Sequence, residues 1–326
     1  MRAGRISVST RVFEVVDVAT PDAGAGQVRI KVGAAGVCLS DVHFLEGILS
    51  PGYLEGDHVT LGHEVAGTID QVGAGVTTSS VGDRVVVIAG ERNANQQITT
   101  MGFDYDGGWA EYVVTKAELV AKIPDSLAFE QAAIIPDAVS TPWAAITSTG
   151  KVVAGERVAV FGIGGLGIHA VQLLKIIGAF VIAIDPRENA RANALARGAN
   201  FAFAPDDVDL KKHRGLHAVF DFAGVSPVRK QALSMLGEQG RLVIVGIANE
   251  PIVIPNDMAF TYMRTQIMGH YGSEAHHVTE LIELAASGRL DLSHSISEIL
   301  PLESARDALD KLANKVGNPI RIVLKP

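Results

Sequence analysis

The sequence contains only one cysteine, Cys38, in 326 residues. A single cysteine excludes a disulfide within the chain and a zinc site made of four cysteines, and it fits a reducing compartment such as the cytoplasm. No uninterrupted apolar run approaches the roughly 20 residues that span a bilayer. No apolar segment follows a basic start either, so neither a transmembrane helix nor a secretory signal peptide is expected.

The chain also lacks an excess of basic charge. It has 28 Lys and Arg against 36 Asp and Glu, a formal net charge of −8. Because phosphate contacts require a basic surface, a nucleic-acid partner is disfavoured. With 48% hydrophobic and 20% charged residues, the composition is that of a globular protein and not of a disordered one. The length favours two domains.

Two patterns divide the chain. Up to about residue 140, short strands alternate with glycine-rich turns, as in Val28–Val32 and Arg84–Ile88, which indicates a compact β-rich domain. Six apolar strand candidates between residues 157 and 268 then alternate with helical segments, the pattern of an α/β, doubly wound parallel sheet. Helices return after residue 275, and a last strand at 321–324 is expected to pack on the first domain. We predict a β-rich domain of residues 1–139 and 276–326 and a dinucleotide-binding cofactor domain of residues 140–275.

A glycine-rich turn lies between the first strand and the first helix of the predicted cofactor domain. It reads Gly162-Ile163-Gly164-Gly165-Leu166-Gly167. Gly162 permits the tight turn, Gly164 lets the backbone approach a pyrophosphate, and Gly167 lets helix and strand pack closely. The helix N-terminus would present free N–H groups to the phosphates. This pattern predicts a dinucleotide-binding site.

An acidic residue follows at the end of the next predicted strand. Asp185 lies 23 residues after Gly162, where a carboxylate accepts hydrogen bonds from the hydroxyls of the adenosine ribose. The same carboxylate would repel a 2′-phosphate, so we expect NAD(H) to be preferred over NADP(H). Arg187, two residues later, could weaken that preference.

Three further residues are candidate metal ligands, but their spacing is not informative by itself. Cys38, His63 and Asp137 are separated by 25 and 74 residues, which matches no local zinc motif. A buried cysteine, a hydrogen-bonded histidine and an aspartate in a turn are all common structural residues. From the residues alone, a structural role for each remains the more frequent outcome.

Several motifs, taken together and in order, carry a family resemblance. The chain resembles the zinc-dependent alcohol dehydrogenases of the medium-chain dehydrogenase/reductase family, over nearly its whole length. The matching stretches are Gly-x-Cys-x-Ser-Asp-x-His at 36–43, Gly-His-Glu at 62–64, Gly-Asp-Arg-Val at 82–85, Pro-Asp-Ala-x-x-Thr-Pro at 136–142 and the glycine turn at 162–167. The resemblance implies a GroES-like β-rich catalytic domain and a Rossmann cofactor domain.

The resemblance also implies a metal site. It assigns a catalytic zinc to Cys38, His63 and Asp137, with the fourth position left open for water or substrate. The family often has a cysteine where this chain has Asp137. Glu64 resembles the family's neighbouring, sometimes coordinating glutamate, and Asp41 the acid that orients the ligand histidine. The family's second, structural zinc needs four cysteines near residues 90–106, which are missing here, so one zinc per chain is expected.

The reaction implied by the resemblance is hydride transfer between an alcohol and NAD, with the zinc acting on the substrate oxygen. Ser40 resembles the hydroxyl that contacts that oxygen, and His43 the histidine that passes the proton to solvent. Thr141 resembles the threonine beside the nicotinamide, and Arg321 the basic residue that reaches the pyrophosphate. Trp109 falls where the family often has an aromatic pocket wall, and a tryptophan of the core is the equally open alternative.

Other functions remain open. A zinc-free enone or quinone reductase of the same superfamily is the nearest alternative, although it would not need all three candidate ligands. A polyol dehydrogenase is a second, and a non-catalytic nucleotide-binding scaffold a third. The family also pairs the last strands of two cofactor domains, so we expect a homodimer or homotetramer formed through the apolar segments Ile252–Ile254 and Gln266–Met268. The expected substrate is a small-molecule alcohol or carbonyl compound.

Overall fold

The computed structural model describes residues 1–93, 95–247 and 250–326. The chain forms two compact units, each with its own apolar core. Unit 1 contains Met1–Ser140 and Glu274–Pro326, and unit 2 contains Thr141–Ser273. No helix in these described ranges has the length and apolar character that a membrane crossing requires.

The first part of unit 1 is made of short strands, as the alternating pattern predicts. Val28, Ile30 and Val32 are buried, while Lys31 between them is exposed. The strands are β1 (Arg2–Ser7), β2 (Phe13–Asp17), β3 (Gln27–Val37), β4 (His58–Thr60), β5 (Val65–Val72), β6 (Arg84–Val87), β7 (Gly90–Arg92), β8 (Ile98–Thr100), β9 (Tyr112–Lys116) and β10 (Val120–Lys122). The helices are α1 (Leu39–Leu45) and α2 (Phe129–Ala133), after which a π-helical turn, Ile135–Val139, leads into α3 (Ser140–Ala144).

Unit 2 is a parallel sheet with connecting helices. Its strands are β11 (Arg157–Phe161), β12 (Phe180–Ile184), β13 (Phe201–Phe203), β14 (Leu216–Asp221), β15 (Leu236–Ile244) and β16 (Gln266–Gly269). Its helices are α4 (Gly167–Ile177), α5 (Glu188–Ala196), α6 (Ser226–Met235) and α7 (Asp257–Tyr262). The strand order is β13-β12-β11-β14-β15-β16, which is the Rossmann order. The predicted fold class is therefore confirmed.

The C-terminal segment completes unit 1. It contains α8 (Ala275–Ala286), β17 (Ile296–Pro301), α9 (Ala305–Ala313) and β18 (Arg321–Lys325). Strand β18 lies parallel to β17 and antiparallel to β3, with Ile322 opposite Val37. This register puts Arg321 beside Cys38, the residue that follows Val37 in the chain.

A short hairpin lies in the polar segment around residues 90–100, where the sequence analysis predicted no strand. Strands β7 and β8 pair antiparallel. Asp104 fixes the segment, because its carboxylate accepts hydrogen bonds from the backbone N–H groups of Gly52, Tyr53 and Thr100, each at 2.8–2.9 Å. These bonds hold the region in which the family's cysteine lobe would lie.

Candidate metal and cofactor sites

The three candidate ligands come together in unit 1 from three separate segments. Cys38 precedes α1, His63 lies between β4 and β5, and Asp137 lies in the π-helical turn. The possible ligand atoms all lie within 4.8 Å of one another. Asp137 Oδ2 is 3.2 Å from Cys38 Sγ and 3.4 Å from His63 Nε2. The fold thus joins residues whose spacing in the chain gave no sign of a common site.

The loop that carries His63 depends on a glycine and on Trp109. Gly62 has a φ of +98°, and a Cβ there would lie 2.2 Å from Trp109 Cδ1. The indole is fully buried, donates a 3.0 Å hydrogen bond from Nε1 to the carbonyl of Gly36 and meets Phe13 edge to face. This corrects the expectation that Trp109 forms a pocket wall. The indole N–H of Trp109 donates to a buried carbonyl and its ring packs in the core, so Trp109 supports the loop that carries His63.

Asp41 contacts two of the ligands. Its Oδ2 accepts a 2.8 Å hydrogen bond from the backbone N–H of Cys38, and its Oδ1 lies 3.5 Å from His63 Nδ1. Asp41 is fully buried, so this histidine nitrogen faces a carboxylate. A carboxylate at that position favours the tautomer with the proton on Nδ1, which leaves the Nε2 lone pair for a metal.

A buried ion pair that the sequence did not suggest lies beside the ligands. Glu64 Oε1 accepts hydrogen bonds from the backbone N–H of Ala138, at 2.9 Å, and from Arg321 Nη2. The same Arg321 nitrogen lies 3.3 Å from Asp137 Oδ2. Arg321 is only 2% exposed. A charged residue at the start of the apolar strand β18 was the one signal that could have suggested this pair.

The Arg321 side chain is therefore used differently from what was expected. It bonds to carboxylates within unit 1, and the pyrophosphate contact that the resemblance implied stays a prediction. Burial raises the pKa of Glu64 to about 7, although the guanidinium of Arg321 acts to lower it. Arg321 is thus the counter-charge that favours an ionised Glu64 in the interior.

The charges of the cluster fit a cation. The cluster brings three carboxyl groups, those of Asp41, Glu64 and Asp137, close to the candidate ligands, beside the single Arg321 guanidinium. Burial would lower the pKa of His63, but Asp41 and Asp137 raise it well above its ordinary value, which shows that positive charge is stabilised there. Thiolate, imidazole and carboxylate are all zinc ligands, and three protein ligands are the number found in catalytic zinc sites. The residues present therefore fit a zinc ion.

Two of the predicted catalytic residues lie on α1, close to the cluster. Ser40 Oγ lies 3.6 Å from Cys38 Sγ. His43 follows three residues later, on the same face of the helix. Both side chains are half-buried.

Unit 2 contains the glycine turn between β11 and α4. A Cβ on Gly162, whose φ is +83°, would lie 2.7 Å from the backbone nitrogen of Ala223, and one on Gly167 would lie 1.9 Å from the Gly162 carbonyl oxygen. At Gly164 nothing lies within 4 Å of an added Cβ. The open space at Gly164, three residues before α4 begins, fits a pyrophosphate that approaches the backbone; Gly165 and Leu166 complete the turn.

Asp185 and Thr141 have partners that the sequence did not predict. Asp185 is buried, and its carboxylate accepts hydrogen bonds from Ile163 N and from Arg187. The carbonyl of Thr141 accepts a 3.1 Å hydrogen bond from His270 Nε2, while His270 Nδ1 lies 2.8 Å from Thr149 Oγ1. His270 thus holds the backbone at Thr141 and was not recognised from the sequence.

Comparison with known proteins agrees with this geometry. Residues 24–125 match the alcohol dehydrogenase GroES-like domain family, and residues 165–287 match the zinc-binding dehydrogenase family. An alcohol dehydrogenase of Geobacillus stearothermophilus is 32% identical over 100% of this chain and 99% of its own length. The chain belongs to the zinc-dependent alcohol dehydrogenases of the medium-chain dehydrogenase/reductase family.

Other members of this family of zinc- and nicotinamide-dependent oxidoreductases are similar as well. The (R,R)-butanediol dehydrogenase of Bacillus subtilis is 33% identical over 76% of this chain and 78% of its own length. The crystal structure of 2R,3R-butanediol dehydrogenase from Bacillus subtilis superposes with a TM-score of 0.90 at 26% identity, covering 100% of this chain and 99% of that one. The resemblance found in the sequence is therefore confirmed over the whole chain.

Proposed function

We propose that this protein interconverts an alcohol and an aldehyde or ketone, with NAD(H) as the preferred cofactor and one zinc ion per chain. The proposal rests on the close approach of Cys38, His63 and Asp137. Asp41 contacts both Cys38 and His63 and would orient them. Unit 2 of the same chain supplies the glycine turn for a dinucleotide. Both components that the family's reaction needs are thus encoded in one chain.

In this proposal a zinc held by Cys38, His63 and Asp137 supplies Lewis-acid chemistry at the substrate oxygen, and the nicotinamide accepts or donates hydride. Asp41 keeps the proton of His63 on Nδ1. Ser40, beside Cys38, is the hydroxyl that exchanges a proton with the substrate oxygen. His43 passes that proton onward, because the pKa of an imidazole lies near neutral pH.

The preference for NAD(H) rests on Asp185 at the end of β12, where an acid accepts from ribose hydroxyls and opposes a 2′-phosphate. The glycine turn would hold the pyrophosphate, and Thr141, held by His270, would lie beside the nicotinamide. The proposal includes a contact of Arg321 with the pyrophosphate, for which the guanidinium would have to leave Glu64 and Asp137, its partners in this structure.

A diol or polyol substrate is the second candidate, and the similarity to the (R,R)-butanediol dehydrogenase of Bacillus subtilis favours it. The zinc-free reductase is less favoured, because it would not need three converging metal ligands. A non-catalytic scaffold would need neither those ligands nor the Asp41 contacts. A panel of primary and secondary alcohols, vicinal diols and ketones separates these functions by NADH absorbance.

We also propose a cytoplasmic homodimer or homotetramer. Strand β16 is an edge of the unit 2 sheet. Val253, Met258 and Tyr262, in the segment before it, are 68%, 75% and 83% exposed. Apolar side chains near an unpaired edge favour pairing with a second copy. Ile252–Ile254 forms no strand in this chain, so the pairing is assigned to β16.

The first test is elemental analysis of protein purified without chelators. We expect about one zinc per chain, lost in His63→Ala and in Cys38→Ser. His58→Ala is the matched control, because His58 is an exposed histidine outside the cluster, and it should retain the metal. Absence of zinc in the parent protein, with no uptake when zinc is added, would reject the proposed metal site.

A further inference from the structure

The imidazole of His63 is buried, but its polar contacts do not fix the plane of the ring. Its Nδ1 lies 3.5 Å from Asp41 Oδ1 and its Nε2 lies 3.4 Å from Asp137 Oδ2. Both distances exceed the roughly 2.7–3.2 Å of an N–H···O hydrogen bond. His63 Nδ1 and Asp41 Oδ1 are each buried without a hydrogen-bond partner in the part of the chain that the structure describes. The torsion that turns a histidine ring has broad minima, so the orientation of this ring depends on packing.

The ring of Phe103 packs against the imidazole of His63. The two ring centroids are 5.6 Å apart and the ring planes are inclined by 52°, within the range of aromatic contacts. Phe103 also stacks on Phe44, with the centroids 5.0 Å apart and the planes inclined by 13°. Phe44 is fully buried. Phe103 therefore joins the imidazole to a ring of the core, and it limits how far the imidazole can turn.

The turn that carries Phe103 contacts the loop that carries His63 through the backbone. A Cβ on Gly102 would lie 2.8 Å from the backbone nitrogen of Gly62. The backbone N–H of Gly108 donates a 2.8 Å hydrogen bond to the carbonyl of Gly62. These contacts lie on both sides of Phe103 in the chain and directly before His63. The phenyl ring therefore has a defined position relative to the imidazole.

Asp104 holds the same turn from within. Its carboxylate accepts hydrogen bonds from the backbone N–H groups of Gly52, Tyr53 and Thr100, and its own N–H donates a 2.8 Å hydrogen bond to the carbonyl of Thr100. None of these bonds uses the side chain of Phe103. We therefore expect that replacing Phe103 changes the surroundings of the imidazole and leaves the turn in place.

We propose that Phe103 is a positioning residue for the candidate zinc site. Its ring holds the plane of the His63 imidazole, so that Nε2 points to the other candidate ligands and Nδ1 to Asp41. This rests on the proposed function, in which His63 binds zinc. A ligand that is already held in its binding orientation loses little freedom when the metal binds, so this packing should strengthen zinc binding.

The test compares two variants of Phe103 in the full-length protein. Phe103→Leu keeps an apolar side chain but removes the ring, whereas Phe103→Tyr keeps the ring. The Kd of zinc is measured by chelator competition, at a temperature at which circular dichroism shows that each zinc-free variant is folded. We expect zinc binding to weaken about tenfold in Phe103→Leu and to stay within about threefold of the parent in Phe103→Tyr. The visible absorption bands of cobalt(II), bound in place of zinc, should shift in Phe103→Leu, because they report the geometry of the ligands.

Tyr105→Leu is the matched control. Tyr105 is a half-buried aromatic residue of the same turn. Its hydroxyl donates to the carbonyl of Ala89, and among the described residues its ring makes no aromatic pair with His63. Its zinc Kd should therefore stay within about threefold of the parent. Combining Phe103→Leu with Asp41→Asn should weaken zinc binding by less than the product of the two single effects, because both changes act through the same imidazole.

Three outcomes would overturn the inference and leave the proposed function standing. They are a zinc Kd of Phe103→Leu within about twofold of the parent, an equal loss of affinity in Phe103→Tyr or Tyr105→Leu, and independent effects of Phe103→Leu and Asp41→Asn. A parent protein that takes up neither zinc nor cobalt(II) would overturn both the inference and the proposed metal site.

Discussion

Replacing Arg321 by methionine should destabilise unit 1 strongly. The guanidinium is 2% exposed and contacts two carboxylates, Glu64 and Asp137. Without it, the fully buried Glu64 loses its counter-charge, while Asp137 keeps its 3.4 Å contact with His63. Removing one partner of a buried ion pair costs about 3–5 kcal/mol, since the other charge is left desolvated. Solvent screening reduces this little, because Glu64 is fully buried.

A double-mutant cycle separates the ion pair from simple packing. Glu64→Gln alone should cost about 1–3 kcal/mol, because the amide still occupies the space of the carboxylate but no longer balances Arg321. The double variant should cost about 2 kcal/mol less than the sum of the single changes, since it leaves no unpaired charge on Glu64. The double variant should still be less stable than the parent, because Asp137 has also lost its contact with Arg321.

The assay must report on unit 1 alone, because a chain with two compact units need not unfold in one step. Trp109 lies in unit 1 and Trp143, the other tryptophan, in unit 2. Urea unfolding followed by Trp109 fluorescence, in a Trp143→Phe background, therefore isolates unit 1. The protein should be stripped of zinc beforehand, because a metal that binds only the native state adds to its stability.

A buried ion pair in unit 2 supplies the control. Arg229 and Asp221 are paired at 3.3 Å and are both buried. Arg229→Met should leave the Trp109 transition unchanged. The reasoning is refuted if Arg321→Met and Glu64→Gln each lower the free energy of unfolding of unit 1 by less than about 1 kcal/mol and their effects add. The buried ion pair would then not stabilise unit 1.

Three further predictions follow from single contacts. Gly164→Ala should keep the melting temperature of the parent, as an added Cβ meets only open space, but weaken NADH binding in a fluorescence titration; equal NADH affinity would contradict a pyrophosphate at that position. Asp41→Asn should weaken zinc binding about 10–100-fold in chelator competition, because it loses the charge that faces His63 Nδ1; unchanged affinity would exclude that role. Val253→Asp or Met258→Asp should lower the oligomeric state measured by sedimentation, and an unchanged state would place the interface elsewhere.

Most strands and helices of the fold could be predicted, because the sequence patterns that indicate them lie within short stretches of the chain. In β3, buried and exposed residues alternate because one face of the strand is buried, whereas the strands of unit 2 are apolar because both faces are buried. Both patterns can be detected from residues one or two positions apart. The strand, turn and helix around Gly162 and Gly167 are likewise encoded in one short stretch. The hairpin at residues 90–100 was missed, since Asp104 ties this segment to the backbone of Gly52 and Tyr53, which are distant in the sequence.

The candidate ligands show where local signals end. Cys38, His63 and Asp137 could be grouped from the sequence only through the family resemblance, because spacings of 25 and 74 residues carry no geometric information. Trp109 was assigned to a pocket wall by the same analogy, and the structure buries it instead. Whether an aromatic residue faces a cavity or the core depends on what packs against it from the rest of the chain.

The sequence by itself determined the elements, the Rossmann sheet, the glycine turn and the single cysteine that leaves no four-cysteine zinc lobe. Only the tertiary structure decided that Arg321 pairs with Glu64, 257 residues away, and that Arg187 occupies the acceptor sites of Asp185. The reason is physical. Secondary structure and turns follow from the conformational preferences of neighbouring residues, whereas the partner of a buried charge is fixed by strand register and by the need to neutralise that charge away from water.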